Sequence, residues 1–140
     1  MPRAMSEPNV VTEIVDLAEA RRRLPELRPR VALLMEATQG LKRAHLRLQK
    51  AGVALANDPD RLERLTRDRR AAEERFRLAL AGVNELGAYV KDPEVGLVDF
   101  YSWRGEEMVF LCWKHGEEDI VAWHGIDEGF AGRQPVDGGA

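Results

Sequence analysis

The hydrophobic period of this chain changes once, near Asp92-Pro93, and that change limits it to a helical part followed by a sheet. Before it, Leu27, Val31, Leu34, Thr38, Leu41, His45 and Leu48 are spaced by alternating fours and threes. So are Leu62, Leu65, Arg69, Ala72, Phe76, Ala79, Val83 and Leu86. Each set lies on one face of an α-helix. After the change, side chains alternate with the period of 2 that a pleated strand imposes. Neither helix can bury its seam alone, so the two are expected to pack antiparallel. The expected class is α+β: an antiparallel helical hairpin, with a short N-terminal helix before it, packed on a three-stranded antiparallel β-meander.

Local punctuation sets the boundaries. Asp16, with Glu19 three residues on, predicts a capped helix start, and Pro25 and Pro29 predict bends or new first turns after a short helix ending at Leu24. Gly40 weakens the middle of the next helix by about 1 kcal/mol relative to alanine. Gly52 is placed to end that helix, Asp58-Pro59 to cap and open the second, and Gly87 to close it. Strand one is read as Leu97 to Trp103, with Arg104-Gly105 as its turn. Strand two runs from Glu106 to Lys114, a turn follows over 115–118, and strand three runs from Asp119 to His124. One domain over 1–140 is expected. It has a leading helix over 11–24, the hairpin over 25–87, the meander over 88–126 and an irregular C-terminal segment over 127–140. Met1 to Val11 shows no period and is expected to fray, with Met5 as an alternative first residue.

No apolar run approaches the roughly 20 residues of a membrane span, no secretory hydrophobic segment is visible, and Cys112 is the sole cysteine. A cytoplasmic protein without membrane association is therefore expected. Charge is unevenly divided. Residues 21–78 carry 16 Lys and Arg against 8 Asp and Glu, whereas residues 91–140 carry 4 against 11. A basic hairpin beside an acidic sheet permits nucleic-acid contact, attraction between two subunits, or a solvated arginine face. His45 and Arg69 fall on the two seams. They are read as polar contacts that set register, with ligand contact as the alternative.

With a two-residue first turn and a four-residue second turn, one sheet face carries Val98, Phe100, Val109, Leu111, Trp113, Ile120 and Ala122. That face is assigned to the helices. The other carries Asp99, Tyr101, Trp103, Met108, Phe110, Cys112, Val121 and Trp123, and it too is largely apolar. Such a second face is expected to be covered by another subunit, by the C-terminal segment with Phe130, or by a ligand. Of these, a homodimer contact is preferred. The residue types suited to metal are Cys112, His115 and His124, with Asp99 and Glu117 nearby. Cys112 and His115 have a Cys-x-x-His spacing, but this pairing sends Cys112 and His124 to opposite faces. No cofactor is therefore expected, with zinc or another transition metal as the alternative. No phosphate loop, dinucleotide fingerprint or cysteine-enzyme signature occurs, and the reading leans away from an enzyme.

The set Val90-Lys91-Asp92, Gly96-Leu97-Val98-Asp99-Phe100, Leu111-Cys112-Trp113, Gly116-Glu117, Trp123-His124 and Gly129-Phe130-Ala131-Gly132-Arg133-Gln134-Pro135 resembles the bacterial domain-of-unknown-function family number 2203. The Leu-Pro-x-Leu-x-Pro step over Leu24 to Pro29 and the hairpin layout resemble it too, so that nearly the whole chain from Val11 to Val136 is covered. The resemblance implies the fold and a bacterial origin and brings no activity with it. The family pattern has an acidic residue after the Trp-His pair, where this chain has Gly125, and His115 departs from it as well. Within the signature, Asp99 is a carboxylate among aromatics, and Arg133 is its expected partner. Asp99, Tyr101, Trp103, Phe110, Trp123, His124 and Arg133 are thus the candidate ligand or interface residues. An Asp99–Arg133 clasp on the C-terminal segment is the structural alternative. The function expected is a non-enzymatic, homo-oligomeric interaction module. The alternatives are nucleic-acid binding by the hairpin, and a metal or small-ligand site near Cys112, His124 and Arg133.

Overall fold

The computed structural model describes residues 8–137. Helix α1 spans Leu17–Ala51, a 3-10 segment over Gly52–Asn57 turns the chain, and α2 returns over Pro59–Asn84. The sheet has five antiparallel strands in sequential order: β1 Tyr89–Asp92, β2 Leu97–Arg104, β3 Glu107–Lys114, β4 Ala122–Gly125 and β5 Gln134–Pro135. The class is α+β as expected, but with five strands in place of three. β1 is four residues long with a bulge between Val90 and Asp92. β5 is two residues at an edge, where Pro135 lacks a donor that a central strand would need. Neither is long enough to show a period.

The predicted caps form. The Asp16 carboxylate accepts from the Glu19 amide at 2.8 Å, Asp58 accepts from the Arg61 amide at 3.1 Å, and Gly52 closes α1 with φ of 47°. The predicted break at Pro25 and Pro29 does not form, and the short leading helix is the first part of α1. Both prolines are exposed and lie four residues apart, on the face of α1 turned away from the core. On the other side, Leu24, Leu27, Val31 and Leu34 are each at most 2% exposed and enter one core. Tertiary packing holds the helix through both positions.

The α1 seam also departs from the strict repeat. Its buried positions run Leu34, Thr38, Ala44 and Ala51, and His45 is exposed. His45 lies on the same helical line as Leu27, so the buried stripe itself turns beyond Thr38, toward Ala44 and Ala51. Arg69 is half-buried and lies 3.9 Å from Glu73, so the two polar seam residues do not form a pair of similar depth.

The core is built from Leu24, Leu27, Val31 and Leu34 of α1, Ala79, Leu80 and Val83 of α2, and Val98, Phe100, Leu111 and Trp113 of the sheet. Gly96 admits α1 to the β1–β2 turn. Its φ is +71°, and a Cβ there would stand 2.9 Å from both Val31 Cγ1 and Met35 Sδ. α1 is 35 residues, roughly 52 Å, against roughly 27 Å for the eight residues of β2, so the hairpin outreaches the sheet. Among the described residues, no helix is long and apolar enough to cross a membrane.

Residues 8–11, part of the segment expected to fray, are held against the sheet. Asn9 exchanges side-chain hydrogen bonds with both backbone groups of Val90, at 2.8 Å each, and so adds a strand-like contact to β1. Residues 1–7 and the last three residues of the C-terminal segment lie outside the described range. Arg23 ties this segment to both helices: it donates to Glu13 at 2.6 and 2.9 Å, to Glu19 at 2.9 Å and to the Leu86 carbonyl at 2.9 Å. Those hydrogen bonds hold the Glu13 and Glu19 carboxyls below their ordinary range. A carboxyl lowered by folding stabilises the native state above its unfolded pKa, and the contribution is lost as pH falls through the folded one. Arg23→Ala should lower stability at neutral pH by about 1 kcal/mol, mainly through loss of the part-buried bond to the Leu86 carbonyl. The gap between wild type and variant should shrink below about pH 4, read by urea denaturation across a pH series.

Candidate functional site

The geometry of the site depends on how the chain returns from β3 to β4. Lys114 to Val121 is not a tight four-residue turn. Trp113 Nε1 donates to the Glu117 carbonyl at 3.0 Å, the Glu117 carboxylate accepts from the Lys114 amide at 2.8 Å, and Ile120 is fully buried in the core. Arg21 holds the Ile120 carbonyl at 2.8 Å. Pairing resumes with Cys112 opposite Ala122, Leu111 opposite Trp123 and Phe110 opposite His124. The expected faces of this strand are therefore exchanged. Trp123 turns toward the helix side, and His124 and Ala122 turn to the outer face. A one-residue difference in register has this effect because the pleat has a period of two.

The exchange overturns the expectation that Cys112 and His124 diverge. Asp99 of β2, Cys112 of β3 and His124 of β4 share the outer face, with one donor atom from each within 4.8 Å of the others. They are 0%, 0% and 1% exposed. His124 Nε2 lies 3.0 Å from Asp99 Oδ1, and Nδ1 lies 2.9 Å from the Gly125 carbonyl. A carbonyl can only accept, so Nδ1 carries a proton. The Nε2–Oδ1 contact then holds one more, on the ring or on the carboxyl, and the pair has no net charge in either case. Asp99 Oδ2 has no hydrogen-bond partner among the described residues. Burial pushes the Asp99 carboxyl above its usual range, and His124, Cys112 and Lys91 draw it part of the way back. Burial, then the neighbouring Asp99, pushes the Cys112 thiol up to about 12, so it is protonated at neutral pH and is no nucleophile.

The outer face finds its cover within the chain. Phe110 stands 4.7 Å from the Tyr101 ring and 5.3 Å from the His124 ring, and Tyr89 stacks on it at 6.3 Å. On the other side the C-terminal segment folds back, with Phe130 over Arg133 at 4.6 Å and over Lys114 at 5.5 Å. Arg133 pairs with Glu117 at 2.8 Å, not with Asp99, so the expected Asp99–Arg133 clasp is replaced by an Arg133–Glu117 one. The pairing follows from chain geometry: Glu117 stands on the β3–β4 connection, where the returning segment passes, while His124 reaches Asp99 from the adjoining strand.

The remaining candidates are scattered. Trp103, at the far end of β2, is 56% exposed. Trp123 lies under the Arg104 guanidinium at 4.6 Å on the helix side of the sheet, with its Nε1 buried and without a hydrogen-bond partner among the described residues. His115 sits edge-on to Trp113 in the turn and is outside the Asp99–Cys112–His124 group, so the Cys-x-x-His spacing does not converge. Asp99, Tyr101, Phe110 and His124 are brought together; Trp103, Trp123 and Arg133 are not part of that group.

A second feature lies on the hairpin, and neither His45 nor Arg69, the seam residues weighed for ligand contact, lines it. A groove of about 670 Å³ runs between α1 and α2 on a face turned from the core. Leu33, Ala37, Gly40, Leu78, Ala79 and Gly82 form its apolar lining. Leu33 is 58% and Leu78 56% exposed. Arg30 donates to the Gly82 carbonyl and to Glu85 at one end. Antiparallel packing therefore puts Arg43 and Arg75 toward the other, and neither makes an ion pair among the described residues. Gly40 and Gly82 open on this groove, and a Cβ at either would meet nothing closer than 3.9 Å. The legible signal was a pair of leucines off the seam flanked by glycines inside helices.

A family model described as an uncharacterised conserved protein, DUF2203, matches residues 13–136. The chain belongs to the DUF2203 family. That match spans both helices, all five strands and every residue of the buried group. No curated protein matches the chain, and no solved structure matches it.

Removing one member of a buried hydrogen-bonded pair strands the other. Asp99→Ala should therefore cost about 3 kcal/mol, because His124 would lose its only partner at Nε2. Tyr101→Ala, at a half-buried position on the rim, should cost clearly less. Chemical denaturation of the two variants beside wild type checks the order; equal losses would contradict the assignment of the pair as the keystone of this face.

Proposed function

We propose that this DUF2203 chain is a non-enzymatic assembly module, in which two copies dock through the groove of the helical hairpin. The observation that carries the reading is the pair of half-exposed leucines, Leu33 and Leu78, beside an apolar groove whose floor is opened by two helix-interior glycines. A glycine in a helix costs about 1 kcal/mol relative to alanine, and neither is needed here for packing within the chain. Leucine knobs and glycine hollows on one surface are the ingredients of a self-complementary helix–helix contact.

Charge selects the orientation. Arg43 and Arg75 stand toward one end of the groove, and Arg30 and Glu85, paired with each other, stand at the other. A twofold axis lying across the groove opposes unlike ends, setting Arg43 of one copy toward Glu85 of the second and Leu33 over the second copy's Ala37–Gly40 stretch. An axis along the groove would bring the arginine ends together. The hairpin's basic balance is less favourable to nucleic acid, because Arg67, Arg69 and Arg77 are matched by Glu63, Glu73 and Glu74 on their own helix. The closed outer face favours a non-enzymatic role, since Asp99, Cys112 and His124 have no path to a substrate.

Sedimentation equilibrium of the full chain at micromolar concentration should give a dimer. The double variant Leu33→Glu, Leu78→Glu should sediment as a monomer, with wild-type circular dichroism. Arg43→Glu alone should weaken association, and added salt should do the same to the wild type. A wild-type monomer at those concentrations, or a dimer indifferent to the double substitution, would refute the reading.

A further inference from the structure

We propose that Asp99, Cys112 and His124 form a closed binding site for one divalent transition metal of the zinc class. The site is separate from the hairpin groove and independent of any dimer.

The donor set is the first ground. Thiolate, imidazole and carboxylate are the ligands of a borderline-soft ion, and three protein ligands with one further position make a common zinc arrangement. The three side chains come from three neighbouring strands, which hold their Cβ atoms in fixed relation. Their donor atoms lie within 4.8 Å of one another. Bonds of about 2.0–2.3 Å to a tetrahedral ion would bring them to roughly 3.3–3.8 Å, a closure of about 1 Å, within the reach of side-chain rotation.

The second ground is the orientation of His124. A ligating histidine ordinarily donates its other ring N–H to a carbonyl or carboxylate, which fixes the tautomer. Here the Gly125 carbonyl takes Nδ1 at 2.9 Å, and Nε2 points to Asp99 and the thiol. The third is Asp99 itself. Its Oδ2 is buried with no hydrogen-bond partner among the described residues, and the side chain is wholly inaccessible. Such an atom calls for an explanation in a native fold, and a cation beside it supplies one.

Charge balance is the fourth ground. With a dipositive ion bound, an ionised Asp99, an ionised Cys112 and a neutral His124 sum to zero. The loaded site therefore buries no net charge, which would be costly there. Three protein bonds at the centre of the outer face would staple β2, β3 and β4 together, so metal binding adds to the stability of the sheet.

The test uses the full chain, stripped with a chelator and dialysed. Because the site is closed, cobalt(II) or zinc is added both to folded protein and during refolding from denaturant. One equivalent of cobalt(II) should give a thiolate-to-metal charge-transfer band with tetrahedral visible absorption, and zinc should abolish both. Zinc should also raise the melting temperature of the stripped protein. Cys112→Ser should lose the charge-transfer band and bind more than about tenfold more weakly. Asp99→Asn keeps a donor for Nε2 and removes the anion, so it should melt near wild type without metal and show a diminished rise with zinc. Stripped wild type that shows neither band nor thermal shift after refolding with metal would overturn the proposal. So would uptake unchanged by both substitutions, which would place the ion elsewhere on the surface.

Discussion

The parity of β4 governs the chemistry of this fold. A strand shifted by one residue would put Trp123 or Gly125 where His124 is and take the imidazole away from Asp99. The parity is set outside the strand, by the connection from Lys114 to Val121. Trp113 donates to the Glu117 carbonyl, the Lys114 amide and Arg133 both hold its carboxylate, and Arg21 of α1 fixes the carbonyl of Ile120 as its side chain enters the core. Each contact joins a different element to one short stretch. The strand that follows is four residues long, too short to choose its own register by packing alone.

What was legible in the sequence was what depends on neighbours in the chain. Asp16, Gly52, Asp58-Pro59 and Gly87 act through backbone groups within a turn, and all four do as their spacing implied. The inner sheet face was readable through β2 and β3, because a two-residue turn transmits the alternation unbroken. Even there the turn is Gly105-Glu106, with Arg104 paired to Glu107, and positive φ only at Gly105, as a type II′ turn requires. Beyond Lys114 the alternation could not be carried across an irregular stretch held by side chains from far away. The buried group was missed for that reason, although each of its members had been singled out by residue type.

The helices show the same division in another form. Proline's local preference against a helix interior is strong, yet Pro25 and Pro29 lie within α1 because the leucines between and beside them are committed to the core. Arg133 shows the converse. Its fork suited a carboxylate, and it has one, but the one that the path of the chain supplies and not the one most in need of charge. Asn9, too, acts through a partner, Val90, that no local pattern would suggest.

These features leave the two layers with opposite surfaces. On the outer side of the sheet, hydrogen-bond capacity is enclosed beneath Tyr89, Tyr101 and Phe110, and the C-terminal segment closes what remains. On the hairpin, apolar capacity is left in the open: its seam ends with small residues, and the leucines that could fill the hollows at Gly40 and Gly82 point outward. A chain selected only for its own stability would exchange these, with alanine in the hollows and polar residues in place of Leu33 and Leu78, and would leave no carboxylate oxygen without a partner beneath the aromatics. The proposed dimer groove and the proposed metal site would each account for why that exchange has not been made in its layer.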